Sequence, residues 1–208
     1  MNKPEIILIG AGGHAHACID VIEQQGKFNI AGLVGSSDEL QTRQFGYSVI
    51  GTDNDLVKLA KEYPNVLIAV GQIKSADIRT SLYLQAAAAG FHFPVIKSPR
   101  SYVSKHATIA QGTIVMHDVV INAGATIGSN CIINTRALIE HDVQVGDNCH
   151  VSTGAILNGC ASMGTGSFLG SGGIVKQNVS LGKGCIVGMG VTVRHDLNDG
   201  VQFVGDNS

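Results

Sequence analysis

The 208-residue chain has no tryptophan, four prolines, and only 5% aromatic and 14% charged residues. Such a composition fits a core of small aliphatic side chains. A formal net charge of −2 offers no basic face for nucleic acid. No apolar run reaches the ~18 residues needed to span a bilayer. Met1 to Glu5 leads into a strand-like run and a glycine turn, which does not read as a secretion signal. The expectation is a cytoplasmic protein without membrane insertion. There is no CxxC pair, and an odd count of five cysteines argues against a disulfide framework. Glycine, by contrast, is abundant at 27 residues.

What the chain does have is a period of six. Aliphatic side chains occupy every sixth position from Val103 to Val193 without a slip, sixteen in all. Neither a helix nor an ordinary sheet uses that spacing, whereas a hexapeptide β-helix does. If three hexapeptides close one triangular coil, residues 18 apart stack. One wall then carries Val103, Ile121, Ile139, Leu157, Val175 and Val193. Coils would lie about 4.8 Å apart, each burying its aliphatic position against its neighbours. Cys131, Cys149 and Cys185 stand two residues before a periodic position, where alanines also recur. They read as small core residues at an inward corner.

The first half follows a different grammar. Residues 4–9 read as a buried strand entering Gly10-Ala11-Gly12-Gly13-His14, with a helix over Ala15–Gln25. Further strands are expected at Asn29–Val34, Val66–Val70 and Phe91–Ile96, with a short extra one at Tyr47–Ile50. Helices are expected at Asp53–Glu62, after Thr52 as N-cap, and at Ser75–Ala89. Alternating strands and helices imply a small parallel sheet covered by helices. Residues 1–98 therefore read as an α/β, Rossmann-like domain and residues 99–208 as a parallel β-helix.

Two histidines stand out in the repeats. His141 lies in Ile139-Glu140-His141-Asp142 and His150 in Cys149-His150-Val151-Ser152. Neither belongs to the aliphatic series, so both are expected to face outward. Being half an 18-residue coil apart, they belong to opposite sides of a prism and could meet only across a subunit interface. A histidine flanked by Glu140 and Asp142 suits general-base work near neutral pH; a solvated polar turn is the bland reading. His106 and His117 read as surface residues. The repeat region contains no HxH or HxxxH pair, and no metal site is expected. The glycine turn follows a strand and opens a helix, a context in which backbone N–H groups bind anions. As a dinucleotide fingerprint it lacks an acid at the end of the second strand, where Leu33-Val34-Gly35-Ser36 stands and Asp38 is the first acid.

Taken together, the Gly-Ala-Gly-Gly-His turn, the Ile68-Ala69-Val70-Gly71 strand end, Asn134-Thr135, Ile139-Glu140-His141-Asp142 and His150-Val151-Ser152-Thr153-Gly154-Ala155 resemble one family. It is the bacterial sugar O-/N-acetyltransferase family that includes bacillosamine N-acetyltransferase and the sialic-acid O-acetyltransferases. The resemblance implies a homotrimer in which the Rossmann-like domain binds a nucleotide sugar and a left-handed β-helix binds acetyl-CoA as co-substrate, with no permanently bound cofactor. It implies His141 as general base with Asp142 as its acidic neighbour. His150, Ser171 and Met189 match positions that contact acetyl-CoA. Gly12, Gly13 and His14 match the sugar-nucleotide turn, with Gly71 in the matching strand end.

Two departures accompany the match. Gly35 and Ser36, at the matching substrate-contacting position, replace the Asp-Asp of many relatives, which leaves the nucleotide open. The chain ends Val204-Gly205-Asp206-Asn207-Ser208 instead of Gly-x-Pro-Ala-Lys, and a weaker hold on coenzyme A is the expectation. The expected activity is acetyl transfer to the amine of a nucleotide-linked 4-amino-4,6-dideoxyhexose for a bacterial surface glycan. Alternatives are O-acetylation of sialic acid or another sugar hydroxyl, a non-catalytic trimeric scaffold, and a nicotinamide oxidoreductase disfavoured by the missing acid.

Overall fold

The computed structural model describes residues 3–205. Met1, Asn2 and the tail residues Asp206–Ser208 lie outside the described residues, and with them the expectation about the tail. The chain forms two units: one runs to Gly71 and resumes over Asp77–Lys97, the other comprises Gln72–Ala76 and the chain from Ser98 onward. Residues 72–76, read above as part of the first domain, thus belong to the second unit. No described helix is long and apolar enough to cross a membrane.

In the first unit, β1 (Glu5–Ile9), α1 (Gly13–Gln25), β2 (Asn29–Val34), β3 (Arg43–Gln44), β4 (Tyr47–Gly51), α2 (Leu56–Glu62), β5 (Asn65–Ile68) and α3 (Asp77–Ala89) follow in order. The sheet order is β3-β4-β2-β1-β5, parallel except for the antiparallel β3–β4 edge. Ile6 to Ile9 are buried because both faces of β1 are covered. α1 begins two residues earlier than the sequence suggests and ends at Gly26, whose φ of 65° and N–H bond to Ile22 make a left-handed C-cap.

The fourth strand expected over Phe91–Ile96 does not form. Only His92 makes a bridge, to Asn65, before Pro94 removes the next backbone donor; pairing resumes only at Ile96–Lys97. The Asp53–Glu62 helix divides into a 3-10 turn at Asp53–Asp55 and α2. Thr52 does start it: its N–H and hydroxyl donate to the Asp55 carboxylate at 2.8 and 3.0 Å.

In the second unit the aliphatic period becomes a left-handed parallel β-helix. Each strand is two residues long with the periodic residue second, and pairs with the strand 18 residues on, as in Ile121↔Ile139↔Leu157. The wall expected from the spacing is one continuous sheet from Val103 to Val193. Fourteen of the sixteen series residues are buried; Val103 and Ile109, in the first coil, are half-buried. Cys131, Cys149 and Cys185 are buried as expected. After Val193 the coil shortens by two residues, because Leu197 bridges Leu181 and Phe203 pairs with Val187.

A second six-residue period underlies the first. Every sixth residue from Gly112 to Gly190 has a positive φ, so each coil turns its corners through the left-handed region. Glycine, asparagine and aspartate occupy nearly all of these corners, as their low cost there dictates. The exceptions are Arg136 and Cys160, at φ 60° and 58°.

Candidate active site

A cavity of about 380 Å³ in the first unit is lined by Gly12, Gly13, His14, Gly35, Ser36 and Gly71, the six residues expected to hold a nucleotide sugar. Backbone geometry explains some of these glycines but not others. Gly10, also in the wall, has a φ of 123°, and a Cβ there would approach the Ala69 carbonyl to 2.9 Å, so no other residue fits. Gly12 is extended, and a Cβ on Gly12 or Gly13 would meet nothing within 4 Å. The free space above them adjoins the first turn of α1, where backbone N–H groups point outward.

The cavity also contains two carboxylates missed from the sequence, Glu39 and Asp53. Glu39 is brought back by a 3-10 turn, Ser37–Glu39, and accepts bonds from the Ser36 N–H and hydroxyl at 2.8 and 3.0 Å. Gly35 makes the return possible: a Cβ there would lie 2.8 Å from the Glu39 carboxylate. Arg79 shapes the opposite wall from below. Only 1% exposed, it donates to the carbonyls of Ile68 and Val70 at 2.6 and 2.9 Å, pinning the strand end that leads to Gly71. Beside it, burial pushes the Cys18 thiol up to about 12, which makes that thiol inert.

In the second unit His141 and Asp142 form a corner after the Ile139 wall. The Asp142 carboxylate accepts from His141 Nδ1 at 3.0 Å, which assigns the proton to Nδ1 and frees Nε2 as an acceptor. Glu140 bonds elsewhere, its carboxylate accepting from the His141 backbone N–H at 3.3 Å and from the Asn122 side-chain amide at 3.0 Å. The ring lies over Gly159 of the next coil, where a Cβ would stand 2.6 Å from Nε2. Both side chains are more than half exposed, at 55% and 64%. The corner therefore presents an oriented, half-exposed imidazole with Nε2 left as its acceptor.

His150 lies on a different wall from His141 and is not exposed: at 6% accessibility it is covered by the segment 72–76. Its Nδ1 donates to the Gln72 carbonyl at 2.6 Å, its Nε2 accepts from Asn134 at 3.2 Å, and its ring meets Phe168 edge-on. Gln72 is itself buried and donates to the Asn148 carbonyl at 3.0 Å. The two Gln72 bonds span more than 75 residues of sequence, beyond the reach of local pattern. Ser171 and Met189 share a column 18 residues apart; the Ser171 hydroxyl bonds Ser152 at 2.9 Å and Met189 is 81% exposed. A larger cavity, about 490 Å³, opens at the last coil among Val191, Arg194, His195 and Phe203, and none of the expected residues lines it.

Three family models match the chain: PglD N-terminal domain over residues 5–83, bacterial transferase hexapeptide (six repeats) over 124–159, and hexapeptide repeat of succinyl-transferase over 161–194. No curated protein matches. Among solved structures, a variant of perosamine N-acetyltransferase from Caulobacter crescentus, in complex with CoA and GDP-perosamine, is 34% identical. The match covers 95% of this chain and 91% of that one, with a TM-score of 0.88. The acetyltransferase domain of PglB from Neisseria gonorrhoeae, in complex with acetyl coenzyme A, is 33% identical over 96% of this chain and 95% of that one, at a TM-score of 0.87. WeeI from Acinetobacter baumannii is 22% identical over 96% and 95%, at 0.84, and shares the fold.

Proposed function

We propose a substrate and a mechanism on one premise: the chain belongs to the PglD-type hexapeptide-repeat sugar N-acetyltransferase family. It is an acetyltransferase, and its acceptor in our reading is the amine of a nucleotide-linked 4-amino-4,6-dideoxyhexose destined for a surface glycan. The observation that carries this is the oriented His141–Asp142 pair, in a chain a third identical over nearly its whole length to an enzyme held with CoA and GDP-perosamine. The cytoplasm, where acetyl-CoA is made and used, is the compartment that goes with it.

The nucleotide sugar occupies the cavity of the first unit. Its diphosphate lies on the bare glycines and the start of α1, close to His14. Glu39 and Asp53 accept hydrogen bonds from hydroxyl or base N–H groups and supply the negative charge that Gly35-Ser36 lacks. In the reaction His141 Nε2 takes a proton from the sugar amine as nitrogen attacks the thioester carbonyl. Asp142 stabilises the imidazolium that results. Collapse of the tetrahedral intermediate breaks the carbon–sulfur bond, and the same proton passes to the coenzyme thiolate. The oxyanion needs a donor near the thioester. In the Gly170–Gly173 turn the N–H groups of Gly170, Gly172 and Gly173 already bond carbonyls within the coils, which leaves that of Ser171 for the task. Met189 and Ser171 hold the coenzyme directly, and His150 supports the segment beside it. The active assembly is a homotrimer of prisms, with the site shared between neighbours.

The test is a screen of UDP-, dTDP- and GDP-linked 4-amino sugars with acetyl-CoA, read as free thiol, with sialic acid as the hydroxyl acceptor. An amino sugar should turn over and sialic acid should not; the reverse would replace amine by hydroxyl transfer. His141→Ala should keep the oligomer and lose about 10²–10⁴ in rate. Full transfer by that variant would remove His141 as the base.

A further inference from the structure

Cys160 is out of place in two ways. It sits at a left-handed corner, with φ 58°, where the β-helix otherwise uses glycine, asparagine, aspartate and one arginine. It is also the one exposed thiol, the other four cysteines being buried. Neither packing nor backbone geometry favours cysteine there; asparagine would suit the conformation better.

Its position explains what it can do. Eighteen residues after Asp142, Cys160 stacks on the same corner column, and its N–H bonds the His141 carbonyl at 3.0 Å. One ring nitrogen of His141, a carboxylate oxygen of Asp142 and the Cys160 sulfur all lie within 4.8 Å of one another, and all three residues are exposed. A tetrahedral zinc ion places nitrogen, oxygen and sulfur ligands about 3.3–3.6 Å apart. Small side-chain rotations close that gap, and exposed side chains make them freely. The bareness of Gly159 lets the imidazole lie next to the thiol rather than above a methyl group.

We propose that His141, Asp142 and Cys160 form a surface site for a thiophilic divalent cation of the zinc class, and that its occupancy switches acetyl transfer off. The donor set selects the metal: one sulfur, one nitrogen and one oxygen favour Zn²⁺ and disfavour Mg²⁺ or Ca²⁺. Three protein ligands leave the fourth position to water. Metal binding requires the thiolate and displaces the thiol proton to solvent. It also ties the imidazole and its carboxylate partner to the ion, which removes the proton acceptor on which transfer depends. The metal site rests on the three side chains alone; the inhibition rests also on His141 being the base, as proposed above.

The experiment uses the full-length, reduced, chelator-treated protein. Co²⁺ titration should give a thiolate-to-metal charge-transfer band saturating at one ion per chain. Cys160→Asn retains the corner conformation already used by Asn130, Asn148 and Asn178. It should abolish the band, leave metal-free transfer unchanged, and raise the Zn²⁺ concentration for half-inhibition at least tenfold. Absence of the band in the parent protein, or its survival in Cys160→Asn, overturns the site whatever the kinetics. Should the band vanish as expected while His141→Ala still turns over fully, the metal site stands and the base assignment falls.

Discussion

At the scale of single residues, the His141 corner proposed as the active one depends as much on an omission as on its functional groups. Gly159 has no conformational need to be glycine; it is small because the His141 imidazole lies on it, 2.6 Å from where a Cβ would be. Gly159→Ala should therefore leave the coil folded yet displace the ring, lowering kcat about 10²-fold. Steady-state kinetics beside a thermal melt would check this, and an unchanged kcat would mean that the ring orientation is immaterial. The residue scale is also where the sequence was hardest to read. His141 and Asp142 stood out through their motif, and the cavity glycines through theirs. Glu39 did not, because the dinucleotide fingerprint has its acid at the end of β2 and this one arrives by a 3-10 turn. Cys160 did not, because recognising a misplaced cysteine requires knowing which positions are left-handed corners.

Elements were legible where one strong period controlled them. The β-helix needs an aliphatic side chain once per strand, so its phase follows from the spacing; the 18-residue coil is seen in the pairing of its strands. Stability should follow the same geometry. Leu157→Ala, within a fully covered coil, should cost about 2–5 kcal/mol. Val103→Ala, on the same wall but half-buried in the first coil, should cost about 1 kcal/mol or less. Denaturant unfolding of the two variants would compare them, and equal losses would contradict the stacking argument. In the first unit, where strands and helices alternate without so strict a rule, the apolar run Phe91–Ile96 reads as a strand although Pro94 interrupts its pairing. The Thr52 cap was legible, and it carries a pH dependence. Bonds from the Thr52 N–H and hydroxyl hold the Asp55 carboxyl below the ordinary carboxylate range. Its folded pKa thus lies below the unfolded value of about 3.9. The stabilisation is complete above the unfolded value and disappears as pH falls through the folded one. Asp55→Asn should lower Tm at pH 7, and the difference from the parent protein should close as pH falls through the lowered carboxyl pKa. A difference that persists in acid would point to a cause other than this cap.

For the molecule as a whole, the proposed reaction depends on assembly. A site shared between prisms exists only while they associate, so specific activity should fall on dilution with the same midpoint as dissociation in sedimentation velocity. A monomer active at full rate would exclude the shared site. The α/β and β-helix division was legible from the change of pattern, but the segment 72–76 was not, since its partners Asn148 and His150 lie far along the chain. That segment has a lasting consequence. Because five residues inside the first half of the gene complete the second module, no single crossover separates the two intact. Recombination at residue 98 would deliver a β-helix whose His150 has lost its cover.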